Sequence, residues 1–159
     1  MREADLEAVL AIERQSFPEE PWTRGMFQRE LQIPFATSMV ARDTRADGAI
    51  VGYVCWRCLG DELEILNLAV APTARKGGLG CALVALVVEE AKTRGAAKIH
   101  LEVRDDNEAA IFLYRRCEFF PAGLRRHYYG RDHHAVLMSW SAGNLDRTNA
   151  DVDKQTTSD

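Results

Sequence analysis

Three of the four residues from 77 to 80 are glycine. The stretch Ala74-Arg-Lys-Gly-Gly-Leu-Gly-Cys-Ala-Leu83 sets Gly77, Gly78 and Gly80 between a basic pair and an apolar run of helical texture. Backbone amides bared by glycine at the start of a helix make an anion site, because the first N–H groups lack an intrahelical partner and the macrodipole is positive there. A pyrophosphate fits such a cradle, with Arg75 and Lys76 adding charge at its edge. Spacing disfavours two nucleotide loops. No Lys-Ser/Thr follows Gly80, as a Walker loop needs, and Leu83 stands where a dinucleotide fingerprint has its third glycine. On the loop alone, a glycine-rich connection without a ligand remains the alternative.

A second group of candidates lies downstream. In Lys98-Ile-His-Leu-Glu-Val103, Ile99, Leu101 and Val103 alternate with Lys98, His100 and Glu102, so Glu102 projects opposite the apolar set. Its plain expectation is a solvated or salt-bridged carboxylate. Asn107 and Tyr114 are seven positions apart, two helical turns, and share a face. Helical side chains lean toward the N-terminus, which aims the Tyr114 hydroxyl at Asn107 and the preceding strand end. Beside Ile111 and Leu113, Tyr114 equally fits a core position. Cys55-Trp-Arg-Cys58 lies on an expected strand, where i and i+3 face opposite sides, so it is not a thioredoxin-type redox motif. The adjacent His133 and His134 point apart in an extended chain and, with His127, find no cysteine pair to complete a zinc site, so no metal is expected.

The elements that must hold these residues follow from periodicity. Asp5 to Phe17 carries Leu6, Val9, Leu10 and Ile12 with Glu7, Glu13 and Arg14 between them, a first helix ended by Pro18 and Pro21. Thr23 is placed to cap a second helix through Met26, Phe27, Glu30 and Leu31, which Pro34 stops. Strands follow at Ser38 to Arg42, Ile50 to Trp56 and Glu62 to Val70, joined by turns at Asp47-Gly48 and Gly60-Asp61 into an antiparallel meander. A helix from Ala82 to Thr93 has Leu83, Leu86, Val87 and Ala91 on its apolar side and Gly95 as its C-terminal cap. The strand Lys98 to Val103, the helix Asn107 to Arg116 and the strand pair Phe119 to Tyr129 and Ala135 to Trp140 complete the chain. Strand, loop, helix, strand in the middle calls for a parallel crossover in an otherwise antiparallel sheet. The expected fold is α/β, a mixed and mostly antiparallel sheet flanked by helices, over residues 1–140. From 141 to 159 aromatic residues vanish and Thr, Asn, Asp and Ser dominate, so a disordered tail is expected.

The 159 residues suit one domain. A net charge of −4 argues against broad attraction to nucleic acid, despite local pairs such as Arg125-Arg126. No apolar run approaches a membrane span, and the charged start Met-Arg-Glu-Ala-Asp lacks a signal sequence, so a cytoplasmic protein is expected. The four cysteines lie in strand and helix segments and suit a reducing compartment without disulfides.

The spacing Arg75-x-x-Gly78-x-Gly80 resembles the coenzyme A pyrophosphate loop of the GNAT superfamily of N-acetyltransferases. The resemblance extends to Ser16-Phe17 with Pro21-Trp22 and Phe27…Glu30-Leu31, to Asn67-Leu-Ala-Val70, Leu101-Glu-Val-Arg104, Asn107…Ala110…Tyr114, and Arg126…Tyr128-Tyr129. Together these are similar to the RimI type, the ribosomal-protein-alanine N-acetyltransferases.

The resemblance implies acetyl-CoA as co-substrate and the N-terminal α-amine of a protein as acceptor, most simply the alanine of a small-subunit ribosomal protein. It implies that Leu68, Ala69 and Val70 bind the pantetheine arm through their backbone, and that Arg75, Lys76, Gly77, Gly78, Leu79, Gly80, Cys81 and Asn107 hold coenzyme A. Glu102 falls on the general base, Tyr114 on the general acid, and Phe17, Trp22, Tyr128 and Tyr129 on the acceptor groove. The amine attacks the thioester directly, so no nucleophilic side chain is required. A small amine, a lysine side chain, or a non-catalytic acyl-CoA-binding role are the alternatives.

Three departures from the family pattern stand out. Only Met1 to Ala4 precede the first helix, so the family's N-terminal strand is expected to be short or absent. Glu118-Phe119 replaces the family's Gly-Phe, which predicts another turn geometry or a strained one. His133-His134 stands where the subfamily tends to carry an acidic pair, near the expected peptide entrance.

Overall fold

The structure, a computed structural model, describes residues 1–126, 128 and 133–143. Its helices are α1 (Leu6–Ser16), α2 (Arg24–Gln32), α3 (Leu79–Arg94) and α4 (Glu108–Arg116). Its strands are β1 (Ala36–Asp43), β2 (Ala49–Leu59), β3 (Glu62–Val70), β4 (Lys98–Arg104), β5 (Phe120–Arg125) and β6 (Ala135–Ser141). They form one sheet in the order β1-β2-β3-β4-β6-β5, in which only β3 and β4 run parallel. The expected mixed sheet and its single parallel step are both present. None of the helices among the described residues is long and apolar enough to cross a membrane.

The sheet is buried on both faces. On one, Leu6, Val9, Leu10 and Ile12 of α1 and Phe27 of α2 pack on Tyr53, Cys55 and Ala69. On the other, Leu83, Val84, Val87 and Ala91 of α3 and Tyr114 of α4 pack on Val54, Trp56, Leu63, Ile65, Ile99 and Leu101. Cys55 and Cys58 therefore sit against opposite cores, as strand alternation requires. Thr23 caps α2 by accepting from the Met26 amide, at 3.3 Å.

Five sequence expectations need correction. Glu13 is not on the solvent side of α1: at i+7 from Leu6 it completes the apolar stripe and is 1% exposed. Helix α3 begins at Leu79, three residues before Ala82, because Gly78 at φ +83° supplies the turn that starts it; Leu86, placed on its apolar side, is instead 47% exposed. Strand β5 ends at Arg125 rather than Tyr129, and Tyr129 lies outside the described residues. Ser141, assigned to the tail, closes β6 opposite Lys98; positions 144–159 are outside the described residues.

No strand precedes α1 among the described residues: Glu3–Asp5 form a single 3-10 turn, and the Met1 ammonium donates to the Ser38 carbonyl on β1 at 2.8 Å. At the end of α4, Glu118 adopts φ +64°. Its amide donates to the Arg115 carbonyl at 3.1 Å and that of Phe119 to the Tyr114 carbonyl at 3.0 Å. This is the pair of bonds that glycine usually closes, made by a non-glycine residue under strain.

Candidate active site

A one-residue bulge creates the site. Along β2 and β3, Trp56 pairs with Ile65 but Cys55 pairs with Asn67, leaving Leu66 as the extra residue. The bulge swaps the faces of β3, so Leu63 and Ile65 join the α3 core while Asn67 and Ala69 turn toward α1. At the same point β3 parts from β4. Their ladder runs from Glu62↔Lys98 to Ile65↔Leu101 and stops, whereas β4 stays paired with β6 to Arg104.

The opening is a cleft of about 500 Å³. Leu66, Asn67 and Leu68 form one wall, Glu102, Val103 and Arg104 the other; Asn107, Ala110, Leu113 and Tyr114 of the α4 segment, Ser16 at the end of α1, and Phe17, Pro18, Glu19, Glu20 and Trp22 of the α1–α2 loop complete it. Of the residues singled out in the sequence, the cleft brings together Leu68, Glu102, Asn107, Tyr114, Phe17 and Trp22. Past Ile65 the edge of β3 that faces β4 has no ladder partner among the described residues, so backbone groups there other than the Val70 carbonyl are available to an extended ligand.

None of the glycine-loop residues lines the cleft itself, but the loop touches Ser16 and Leu113, which do. Lys76 and Gly78 take φ +65° and +83°, and α3 starts without a side-chain cap, leaving its first amides to an external acceptor. Gly80 is there for proximity: a Cβ would come within 3.1 Å of the Leu113 methyl groups, so its absence lets α3 close on α4. Arg75 donates from Nε to the Val70 carbonyl at 2.9 Å and from Nη2 to Ser16 Oγ at 3.1 Å, tying the loop to the end of β3 and to α1. Cys81 lies in the first turn of α3; burial, with a smaller contribution from Cys81, pushes the Cys117 thiol at the end of α4 up to about 12.

Glu102 pairs with Arg125 of β5 at 3.0 Å, and the Arg125 guanidinium lies over the Tyr128 ring, 5.5 Å from its centroid. Tyr128 is half exposed and does not itself line the cleft. Tyr114 is 7% exposed; burial, with a smaller contribution from Cys117, pushes its phenol above the ordinary range. Its ring packs on Phe119 at 5.9 Å, so the strained cap at Glu118 is also what seats this tyrosine. The Asn107 side chain caps α4, accepting from the Ala110 amide at 3.1 Å.

Sequence reasoning gave no role to four contributors. Arg104 links Glu19 of the α1–α2 loop, at 2.6 Å, to Asp106 at 2.8 Å, joining both sides of the cleft. Glu13 lies buried in the wall beneath Trp22 and Asn67. The one available signal was its place in the α1 stripe, a charge where the period asks for an apolar residue.

The acetyltransferase (GNAT) family matches residues 6–119, and the chain belongs to that family. The protein is an acetyl-CoA-dependent N-acetyltransferase. Among curated proteins it is similar to a putative [ribosomal protein bS18]-alanine N-acetyltransferase of Bacillus subtilis, 35% identical over 141 residues, covering 88% of this chain and 91% of that one. It is also similar to the [ribosomal protein bS18]-alanine N-acetyltransferase of Escherichia coli K12, 33% identical over 142 residues, 85% and 90% of the two chains. Among solved structures, the ribosomal-protein-S18-alanine N-acetyltransferase from Escherichia coli superposes with a TM-score of 0.77 at 31% identity, over 89% of this chain and 90% of that one.

Proposed function

We propose that this enzyme acetylates the N-terminal α-amine of a protein, most simply the alanine of a ribosomal protein, with Glu102 as general base and Tyr114 as general acid. The observation that carries the proposal is the parting of β3 from β4 after Ile65 and Leu101, which leaves Glu102, Tyr114 and an unpaired strand edge around one cleft. The names of the relatives support the acceptor, since both describe transfer to the alanine of bS18. So does charge: among the described residues lining the cleft, Glu19, Glu20, Glu102 and Asp106 outnumber Arg104, which favours a cationic acceptor.

Acetyl-CoA supplies an activated acetyl thioester. The free edge at Leu68, Ala69 and Val70 fits an extended pantetheine arm, and its backbone amides are fixed donors for charge developing on the carbonyl oxygen. The unbonded amides from Leu79 to Cys81, with Arg75 and Lys76 beside them, fit the pyrophosphate. Glu102, directly or through water, takes the proton of the attacking amine; an α-amine near pKa 7.7 to 8, against about 10.4 for lysine, asks less of it. Tyr114 returns a proton to the departing sulfur, and its burial keeps that proton in place at neutral pH. Phe17 and Trp22 form the acceptor side of the cleft; Tyr128 stands outside its lining, and Tyr129 lies outside the described residues.

Incubation with acetyl-CoA and peptides beginning Ala-Arg, with a free or a blocked α-amine and an internal lysine, tests the acceptor. Mass spectrometry is expected to find one acetyl group, on the α-amine and absent from the blocked peptide. Acetylation confined to lysine or to small amines such as spermidine would overturn the proposal.

A further inference from the structure

We infer that Glu13 is a positioning residue for acetyl transfer, a buried carboxylate that fixes the acceptor-side loop against the strand that carries the donor. It is 1% exposed, yet three donor groups make four hydrogen bonds to its two oxygens. The Trp22 amide donates to Oε1 at 2.6 Å, Asn67 Nδ2 to both oxygens at 3.2 Å, and the Tyr53 hydroxyl to Oε2.

These partners come from three different elements. Trp22 lies in the α1–α2 loop just before the Thr23 cap, Tyr53 belongs to β2, and Asn67 is the residue after the bulge, where β3 begins its unpaired stretch. The loop from Phe17 to Trp22 has no regular structure and is interrupted by two prolines. Among the described residues, its other tie across the cleft is Glu19 with Arg104, whose Glu19 side chain is 70% exposed.

Packing does not ask for a charge at this position. The rest of the stripe, Leu6, Val9 and Leu10, is apolar, and burial pushes the Glu13 carboxyl above its ordinary range. An apolar side chain of the same length would avoid that desolvation. What it would not do is accept from the Trp22 amide and from Asn67 together, and this double acceptance is what holds the loop at a fixed height over β3.

The inference rests on acetyl transfer at this cleft, not on the identity of the acceptor. Glu13→Met removes both acceptor oxygens at nearly constant volume, and Glu13→Gln restores one. With the Ala-Arg peptide as probe, Glu13→Met is expected to raise the acceptor KM at least tenfold while the acetyl-CoA KM changes less than twofold, and Glu13→Gln to recover part of the loss. Independently of any acceptor, exchange of the Trp22 amide, followed by NMR, is expected to speed at least tenfold in Glu13→Met, with amides of β4 and α3 unchanged. Equal shifts in both KM values, a Trp22 amide as slow as in the wild type, or a uniform rise in exchange across the protein would overturn the inference. A wild-type enzyme inactive on the peptide would count against the proposed acceptor, and the exchange result would still decide the role of Glu13.

Discussion

Tyr114 keeps its proton because burial disfavours the phenolate, and this sets the pH behaviour expected of the reaction. The donor form is complete below the raised pKa and is lost only as pH climbs through it, above the ordinary value of about 10. The acceptor amine has the opposite sense, becoming reactive as pH rises through about 8. The kcat/KM for an N-terminal peptide is therefore expected to rise to a plateau near pH 8 to 9 with no descending limb from Tyr114 below about pH 10. Tyr114→Phe and Glu102→Gln are each expected to lower kcat by about 10²- to 10⁴-fold, with acetyl-CoA affinity by calorimetry nearly unchanged. Unaltered turnover in either variant would remove the role assigned to that residue.

At the scale of elements, two helix ends control the site. Glu118 closes the last turn of α4 in a conformation that costs a non-glycine residue about 1–2 kcal/mol, part of which glycine returns as backbone entropy. Glu118→Gly is expected to stabilise the fold by about 0.5–1 kcal/mol, a Tm gain of about 1–4 °C by calorimetry. A lower Tm would mean that Glu118 makes a contact worth more than the strain. Gly78 opens α3 at φ +83°, with open space around the position of a Cβ, so substitution strains the loop without crowding it. Gly78→Val is expected to raise the acetyl-CoA KM about tenfold and to leave the acceptor KM in place, since about 1–2 kcal/mol of left-handed strain is enough for that factor.

The whole molecule is two cores on either side of one sheet, and β2 supplies both: Val54 and Trp56 to one, Tyr53 and Cys55 to the other. The cores are thus expected to melt together. Leu63→Ala and Leu10→Ala, one in each core, should each cost about 2–5 kcal/mol and shift a single transition. The double variant is expected to lose the sum within about 0.5 kcal/mol, as for independent sites. Two separate transitions in either variant would show that the faces fold independently.

The sequence by itself determined the meander, the single parallel step, the capping residues Thr23 and Gly95, and the glycine loop, because each rests on local periodicity or on a backbone conformation that few residues adopt. It also named six residues that share the cleft, five of them in the motifs Phe17…Trp22, Leu101-Glu-Val-Arg104 and Asn107…Tyr114 and the sixth, Leu68, on the strand before the loop. It could not show where β3 leaves β4, since a bulge at Leu66 looks like ordinary alternation until the partner strand supplies the register. Nor could it place Glu13 inside, because a carboxylate is buried only when donors from distant positions, here 22, 53 and 67, arrive to meet it. Local preference wrote the elements, and long-range hydrogen bonding and strand register decided which of their residues face one another across the site.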